Sequence, residues 1–194
     1  MLTTEPRPEH PKILSCVATT VLEGEGMHRG RDPFSWAPGQ HSEIVDVRRT
    51  KKAHLGSVDA ETFAMSMRHA LRHVVATAIS QAGLELDSSR VRYLALPRVG
   101  RKVVGDVYFP SLQGLTRAEI VYLGDGTGHL GAGDTLANLH DLLARDDHDP
   151  GDIGLFVCAG GGFTVSCVAV RLGVPASTHP SHVVDRDEKA GAPS

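Results

Sequence analysis

Along the 194 residues, short apolar runs alternate with longer amphipathic ones. "KILSCVATTVL" is rich in β-branched residues and predicts a first strand. A Gly-, His- and Pro-rich connection, "EGEGMHRGRDPFSWAPGQH", follows it. Then "DAETFAMSMRHALRHVVATAISQAG" spaces Phe63, Met67, Leu71, Val74 and Ala78 as one face of a long helix. Asp59 stands where an N-cap belongs, and Gly83 closes the run. "RVRYLALP" predicts a short strand, "RVGRKVVGDVYF" a helix stopped by Pro110, and "AEIVYL" another strand. "DTLANLHDLLAR" sets Leu136, Leu139, Leu142 and Leu143 on one helical face. "GDIGLFVCAG" and "GFTVSCVAVRL" are two more strands joined through Gly160, Gly161 and Gly162; so short a turn predicts antiparallel pairing. Strands alternating with helices define an α/β class, a sheet with helices packed on its faces.

Composition adds bounds to this pattern. Residues 1–11 carry three of the eleven prolines and read as a flexible lead-in. Residues 176–194 are polar and Pro-punctuated and read as a disordered tail, leaving one folded domain over 12–175. The net charge of -3, with no basic stripe, gives no footprint for a nucleic acid. No apolar run approaches membrane-spanning length and the start lacks an apolar signal core, so no membrane partner is expected. Cys16, Cys158 and Cys167 are too widely spaced for a disulfide framework or a zinc knuckle. Each falls in a predicted strand and reads as a buried structural thiol. The expected setting is reducing and cytoplasmic.

Chemistry concentrates in "GDGTGHLGAGD", which leaves a strand and enters a helix. Gly126, Gly128 and Gly131 spell G-x-G-x-x-G, the dinucleotide spacing. That fingerprint also needs an acid at the end of the next strand, and "IGLFVC" ends in "AGGG" instead. Asp146, Asp147 and Asp149 precede that strand and so stand at its wrong end. A metal is disfavoured too: His129, Asp134, His140, Asp141 and His148 contain no H-x-x-x-H pair. His69 and His73 are i, i+4 partners, but Arg68 and Arg72 flank them, so they read as a solvated face. The remaining reading is geometric. His129 sits on a glycine-rich turn where a substrate can approach the backbone, and Asp134 stands at or near the N-cap of the following helix. Its carboxylate can bond backbone N–H groups or fix an imidazole tautomer; the alternative is a capping Asp beside an exposed loop His.

The end of the chain brings in a family. "PGDIGLFVCAGGGFTVSCVAVRL" resembles the C-terminal hairpin of 3-oxoacyl-acyl-carrier-protein synthase III, the ketosynthase III branch of the thiolase-like fold, where an apolar strand runs into G-G-G-F-T. "AETFAMSMRHALRHVVATAISQAGL" resembles that family's long helix, "VRYLALPRVGRKVV" its strand ending in P-H-Q-A-N, and "GDGTGHLGAGDTLANLHDLL" its G-N-T-x-A-A-S turn and helix. The blocks keep order and spacing over roughly residues 12–173. The resemblance implies a thiolase-like half: a mixed sheet with helices on its faces, the C-terminal domain of a ketosynthase III-type protein. It also implies that the nucleophile belongs to an N-terminal half outside this sequence, since no cysteine here stands in an A-x-C-x-G turn.

Two departures shape the expected chemistry. Arg98 replaces the family's histidine and His129 replaces its asparagine, the pair that stabilises an enolate in decarboxylative condensation. A permanent arginine cation cannot serve as a neutral imidazole. G-H-L-G-A-G-D instead resembles a variant branch of ketosynthase III-like proteins, some members of which transfer acyl groups to a hydroxyl or a carrier protein. That resemblance implies His129 as general base, Asp134 as its orienting carboxylate and Gly161 as a backbone donor to an oxyanion. Gly161 also fits a plain hairpin turn. Arg98, Arg101 and Lys102 are placed to meet the phosphates of coenzyme A or a phosphopantetheine arm; the alternative is a solvated basic helix face. The implied substrates are acyl-coenzyme A or an acyl carrier protein, with no resident cofactor or metal. The implied partners are the N-terminal ketosynthase half, a second copy, or both. Set against this enzyme component stands a non-catalytic half that docks on a partner, and, further off, a nucleotide-binding α/β domain.

Overall fold

The computed structural model describes residues 10–33, 46–145, 147–161 and 163–173. Most of the lead-in 1–11, the tail 176–194, Asp146 and Gly162 lie outside the described residues. Five strands form one mixed sheet in the order β1-β5-β4-β2-β3. They are β1 (Lys12–Thr20), β2 (Val91–Ala95), β3 (Glu119–Val121), β4 (Ile153–Gly160) and β5 (Thr164–Arg171). β2 pairs parallel with both β3 and β4, while β5 runs antiparallel to β4 and β1. The β4–β5 hairpin is the antiparallel pair that the glycine turn predicts. No helix among the described residues is long and apolar enough to cross a membrane.

Period-two alternation sorts the strands onto two faces. Val91, Leu94, Leu155, Val157, Cys167 and Ala169 pack on one side against the long helix α3 (Ala60–Gln81). Met67, Leu71, Val74 and Ala78 of α3 are buried there, with Phe63 at the margin, as the spacing predicts. Asp59 caps α3, its carboxylate accepting from Thr62 N–H at 2.8 Å. Gly83 follows with φ +74°, in the left-handed region that glycine enters without cost. Tyr93, Ala95, Phe156 and Val170 face the other way, against Leu142 and Leu139 of α6 (Asp134–Leu143). Leu136 does not join them. It lies about 120° round the helix from Leu142 and is 65% exposed, beyond the edge of the sheet contact.

Three other features depart from the sequence pattern. Pro110 does not stop its helix: α4 (Arg101–Val103), a π-helical turn (Val104–Tyr108) and α5 (Phe109–Leu112) run on continuously. Phe109 N–H bonds back five residues to Val104 O, and this wide turn makes room for a proline ring that would crowd a regular α-turn. The glycine-rich connection holds the short helix α1 (Gly26–Arg29), and α2 (Val47–Leu55) follows it. Finally, Cys16 is exposed rather than buried, because β1 is an edge strand and Cys16, on the α6 side of the sheet, lies beyond the reach of α6. Cys158 is half-buried and Cys167 buried.

Candidate functional site

β3 delivers the chain into the turn that starts at Gly124. A Cβ on Gly124 would stand 2.7 Å from the Tyr122 hydroxyl and 3.0 Å from Cα of Arg98, so only glycine fits. Gly128 and Gly131 have φ of +68° and +62°, which lets the chain reverse on both sides of His129. Gly128 N–H closes the turn on Gly124 O at 2.8 Å. These glycines thus serve the backbone geometry of the turn.

Asp134 is the first residue of α6 and is fully buried. It is not the N-cap; Gly133 holds that position, and the carboxylate reaches backward into the turn. Oδ1 accepts from Leu130 N–H at 2.8 Å, and Oδ2 from Arg98 N–H at 2.9 Å. Oδ2 also lies 2.8 Å from Nδ1 of His129. An ionised carboxylate only accepts, so in a neutral imidazole facing it Nδ1 carries the proton and Nε2 keeps its lone pair. Asp134 therefore does both things expected as alternatives: it bonds backbone N–H groups and fixes an imidazole tautomer.

His129 is half-exposed and lines a cavity of about 290 Å³. Gly160, Gly161 and Phe163 of the β4–β5 turn line it too, with Val99, Val103 and Tyr108 from the segment after β2. Met67 and the α1–α2 region, through Met27 and Val47, complete an apolar wall. A Cβ on Gly161 would meet nothing within 4 Å, so the space a side chain would take there is open. Phe163 anchors the turn: it holds φ +56°, packs edge-on against Phe63 at 5.4 Å, and its carbonyl accepts from Val21 N–H at 2.8 Å. Tyr108 is 4% exposed, and burial pushes its phenol up to about 12, so it stays protonated at neutral pH.

The three basic residues do not gather into a phosphate site. Arg98, expected to meet a phosphate, is 2% exposed and each of its side-chain nitrogens bonds within the protein. Its Nε donates to Asn138 Oδ1 at 2.8 Å, one terminal nitrogen to Thr127 Oγ1 at 2.8 Å, and the other to Asp141 Oδ2 at 2.5 Å. Arg101 and Lys102 are exposed on the following helix, paired with Asp125 and Asp106, and neither lines the cavity. Asn138, 1% exposed, also donates to Leu96 O at 2.9 Å. Neither Asn138 nor Thr127 is a defining position of a motif in the sequence. The signal was there: Asp134, Asn138 and Asp141 recur at i, i+4 and i+7, a polar stripe on a helix whose other side carries leucines.

His69 and His73 stand exposed on α3 with rings stacked 6.4 Å apart, and Arg68 and Arg72 turn away from them to Pro110 O and Ser111 O. Among the described residues no group of three or more His, Cys, Asp or Glu could hold a metal.

Residues 80–172, which carry Arg98, His129, Asp134 and the β4–β5 turn, match the family model of the 3-oxoacyl-[acyl-carrier-protein] synthase III C terminal. Over those residues, just under half of the chain, it is similar to a ketosynthase III C-terminal domain. Solved structures extend the likeness beyond those residues. ChlB3, described as an acyltransferase, is 26% identical with a TM-score of 0.69, over 89% of this chain and 49% of its own. AbyA1, a tetronic acid condensing enzyme, is 18% identical with a TM-score of 0.58, over 88% and 50%. The 3-oxoacyl-[acyl-carrier-protein] synthase III from Aquifex aeolicus VF5 is 13% identical with a TM-score of 0.56, over 86% and 46%. The last two speak to the fold alone. The chain spans about half the length of each of these ketosynthase III-like structures. No curated protein matches it.

Proposed function

We propose that this domain is the general-base half of a ketosynthase III-like acyltransferase, working on a nucleophile carried by an N-terminal half. The observation that carries this reading is the 2.8 Å contact between His129 Nδ1 and a fully buried Asp134, with the imidazole lining the cavity shared with Gly161. His129 Nε2 takes the proton from the attacking thiol or hydroxyl, and Asp134 stabilises the imidazolium that forms. Attack on an acyl thioester puts negative charge on the carbonyl oxygen, which the backbone N–H of Gly161 meets. The imidazolium then returns its proton to the leaving thiolate of coenzyme A or a phosphopantetheine arm. The same base activates the acceptor hydroxyl or thiol in the second transfer. None of the three cysteines lines the cavity, which is why the nucleophile is assigned to the other half.

Two further observations support the reading. The similarity to ChlB3, described as an acyltransferase, runs over nearly the whole of this chain and half of that one. The sheet face beside α6 ends in the exposed Cys16 and Ala18 of β1, a surface of small side chains that a second half would cover. The test combines this chain with an N-terminal half bearing A-x-C-x-G and measures acyl transfer from an acyl-coenzyme A. His129→Ala is expected to cut the rate by roughly 10²–10⁴, the usual contribution of a general base. Transfer unchanged in that variant overturns the proposal. No transfer by the wild-type pair would leave the docking role as the better account.

A further inference from the structure

We infer that Arg98 is a positioning residue that locks the His129–Asp134 pair, rather than a binder of substrate. Its backbone N–H and His129 Nδ1 converge on the same oxygen of Asp134, at 2.9 and 2.8 Å. Its side chain holds the two pieces of structure that must stay in register for that convergence. Thr127 lies in the turn two residues before His129, while Asn138 and Asp141 lie on α6 one and two turns after Asp134. One planar cation therefore ties the turn to the helix across Asp134.

The chemistry of the group suits that task. Burying a guanidinium costs solvation, and replacing such a group with an apolar side chain is often neutral for stability. A lysine would bring a point charge whose donors diverge, whereas the guanidinium fork directs its N–H groups in one plane. Three directed bonds plus a main-chain donor fix orientation, which an apolar filler would not. Asp141 is 42% exposed at its side chain and Thr127 is exposed, so the network reaches solvent at both ends while Arg98 and Asn138 between them are buried.

What Arg98 positions is the tautomer. Without the lock, the Asp134 carboxylate and the imidazole lose register, and the ring is free to place its proton on Nε2, where it can no longer act as a base. The consequence for transfer rests on the acyltransferase reading above; the tautomer itself does not. The experiment accordingly has two arms on the full chain. The first reads the ¹⁵N shifts of the His129 ring nitrogens in wild type, Arg98→Lys, Thr127→Val and Thr127→Ser, with no partner or substrate needed. Wild type is expected to hold the proton on Nδ1. Arg98→Lys and Thr127→Val are expected to shift the Nδ1–H to Nε2–H ratio at least fivefold toward Nε2–H, and Thr127→Ser to restore it. Thr127 is exposed, so its variants keep the test open should Arg98→Lys fail to fold.

The second arm measures transfer with the N-terminal half. Thr127→Val is expected to lower kcat by about 10–100-fold with KM within twofold, the size of effect a misplaced catalytic group produces. An unchanged tautomer ratio in folded Thr127→Val and Arg98→Lys overturns the inference. Loss of transfer through KM alone overturns it as well, since that is the mark of a substrate contact. If the wild-type pair transfers nothing, the acyltransferase reading fails while the first arm still decides the lock.

Discussion

Replacing Asp134 with asparagine changes one atom and should cost both stability and activity. The side chain is fully buried and accepts from Arg98 N–H, Leu130 N–H and His129 Nδ1, three donors on two oxygens. An amide has one oxygen. Turned to keep Arg98 and His129, it points its NH₂ at the Leu130 N–H, losing that bond and leaving two donors face to face. A hydrogen bond to a charged group contributes about 1.5–3 kcal/mol, and the bonds that survive fall toward the neutral value of about 1 kcal/mol. Relief of a buried charge offsets part of this. A net loss of about 2–3 kcal/mol follows, which for a chain of this size lowers Tm by about 4–12 °C. Thermal and urea unfolding of the full chain, followed by circular dichroism, measures it. His129→Ala is the control: that side chain is half-exposed, so its truncation should move stability by less than about 1 kcal/mol. The expected pattern is crossed, with both variants poor in transfer and only Asp134→Asn unstable. An Asp134→Asn protein melting within 1 °C of wild type would refute the reasoning, because it would mean the carboxylate is not holding the turn.

Other consequences are measurable on the same material. Toward a disulfide reagent at pH 8, Cys16 should react quickly and Cys167 only after unfolding, since burial pushes the Cys167 thiol up to about 12; equal reactivity of all three thiols would contradict the strand placement. Adding the N-terminal half should protect Cys16, and undiminished labelling in a saturated complex would remove it from the interface. Gly161→Ala keeps the N–H and meets open space, so transfer should survive, whereas Gly161→Pro deletes the donor and should cost about 10²–10³-fold; equal rates would exclude the oxyanion role. Asp147 accepts from Arg145 and from the Tyr93 hydroxyl, which hold its carboxyl well below the usual carboxylate range. A depressed folded-state value stabilises the fold above the unfolded carboxyl's pKa and is lost as pH falls, so the gap between wild type and Asp147→Asn should be present at neutral pH and narrow below about pH 4. A gap independent of pH would assign the effect to packing.

How much of this was legible beforehand depends on the range of the interactions involved. The long helix was written in spacing that burial on one face enforces, and its cap in a local carboxylate, so residues 59–83 read directly. The β4–β5 hairpin read as directly, because a turn so short permits one kind of pairing. Helix α2 was hidden because four of the nine residues of "VRRTKKAHL" are Arg or Lys and no apolar stripe runs along it; its anchors are an Asp46 cap and the buried Thr50 and His54. Pro110 misled because a proline signals a break only in regular α-geometry, and no residue pattern announces a π-turn.

The candidate site divides along the same line. The His129–Asp134 pair is local, five residues apart on one turn, and a glycine-rich strand-to-helix junction narrows where those two side chains can go. Arg98 is the opposite case. It meets Thr127, Asn138 and Asp141 across separations of 29 to 43 residues, and next to Arg101 and Lys102 it looked like one member of a basic cluster. Charge type alone made the three equivalent. What separates them is where the backbone points: Arg98 follows Pro97 at the end of β2 and turns inward under the Gly124 turn, whereas Arg101 and Lys102 begin a helix on the surface. A basic residue immediately after a buried strand was therefore better read as a strut than as a phosphate contact, and the polar stripe Asp134, Asn138, Asp141 was its unrecognised counterpart.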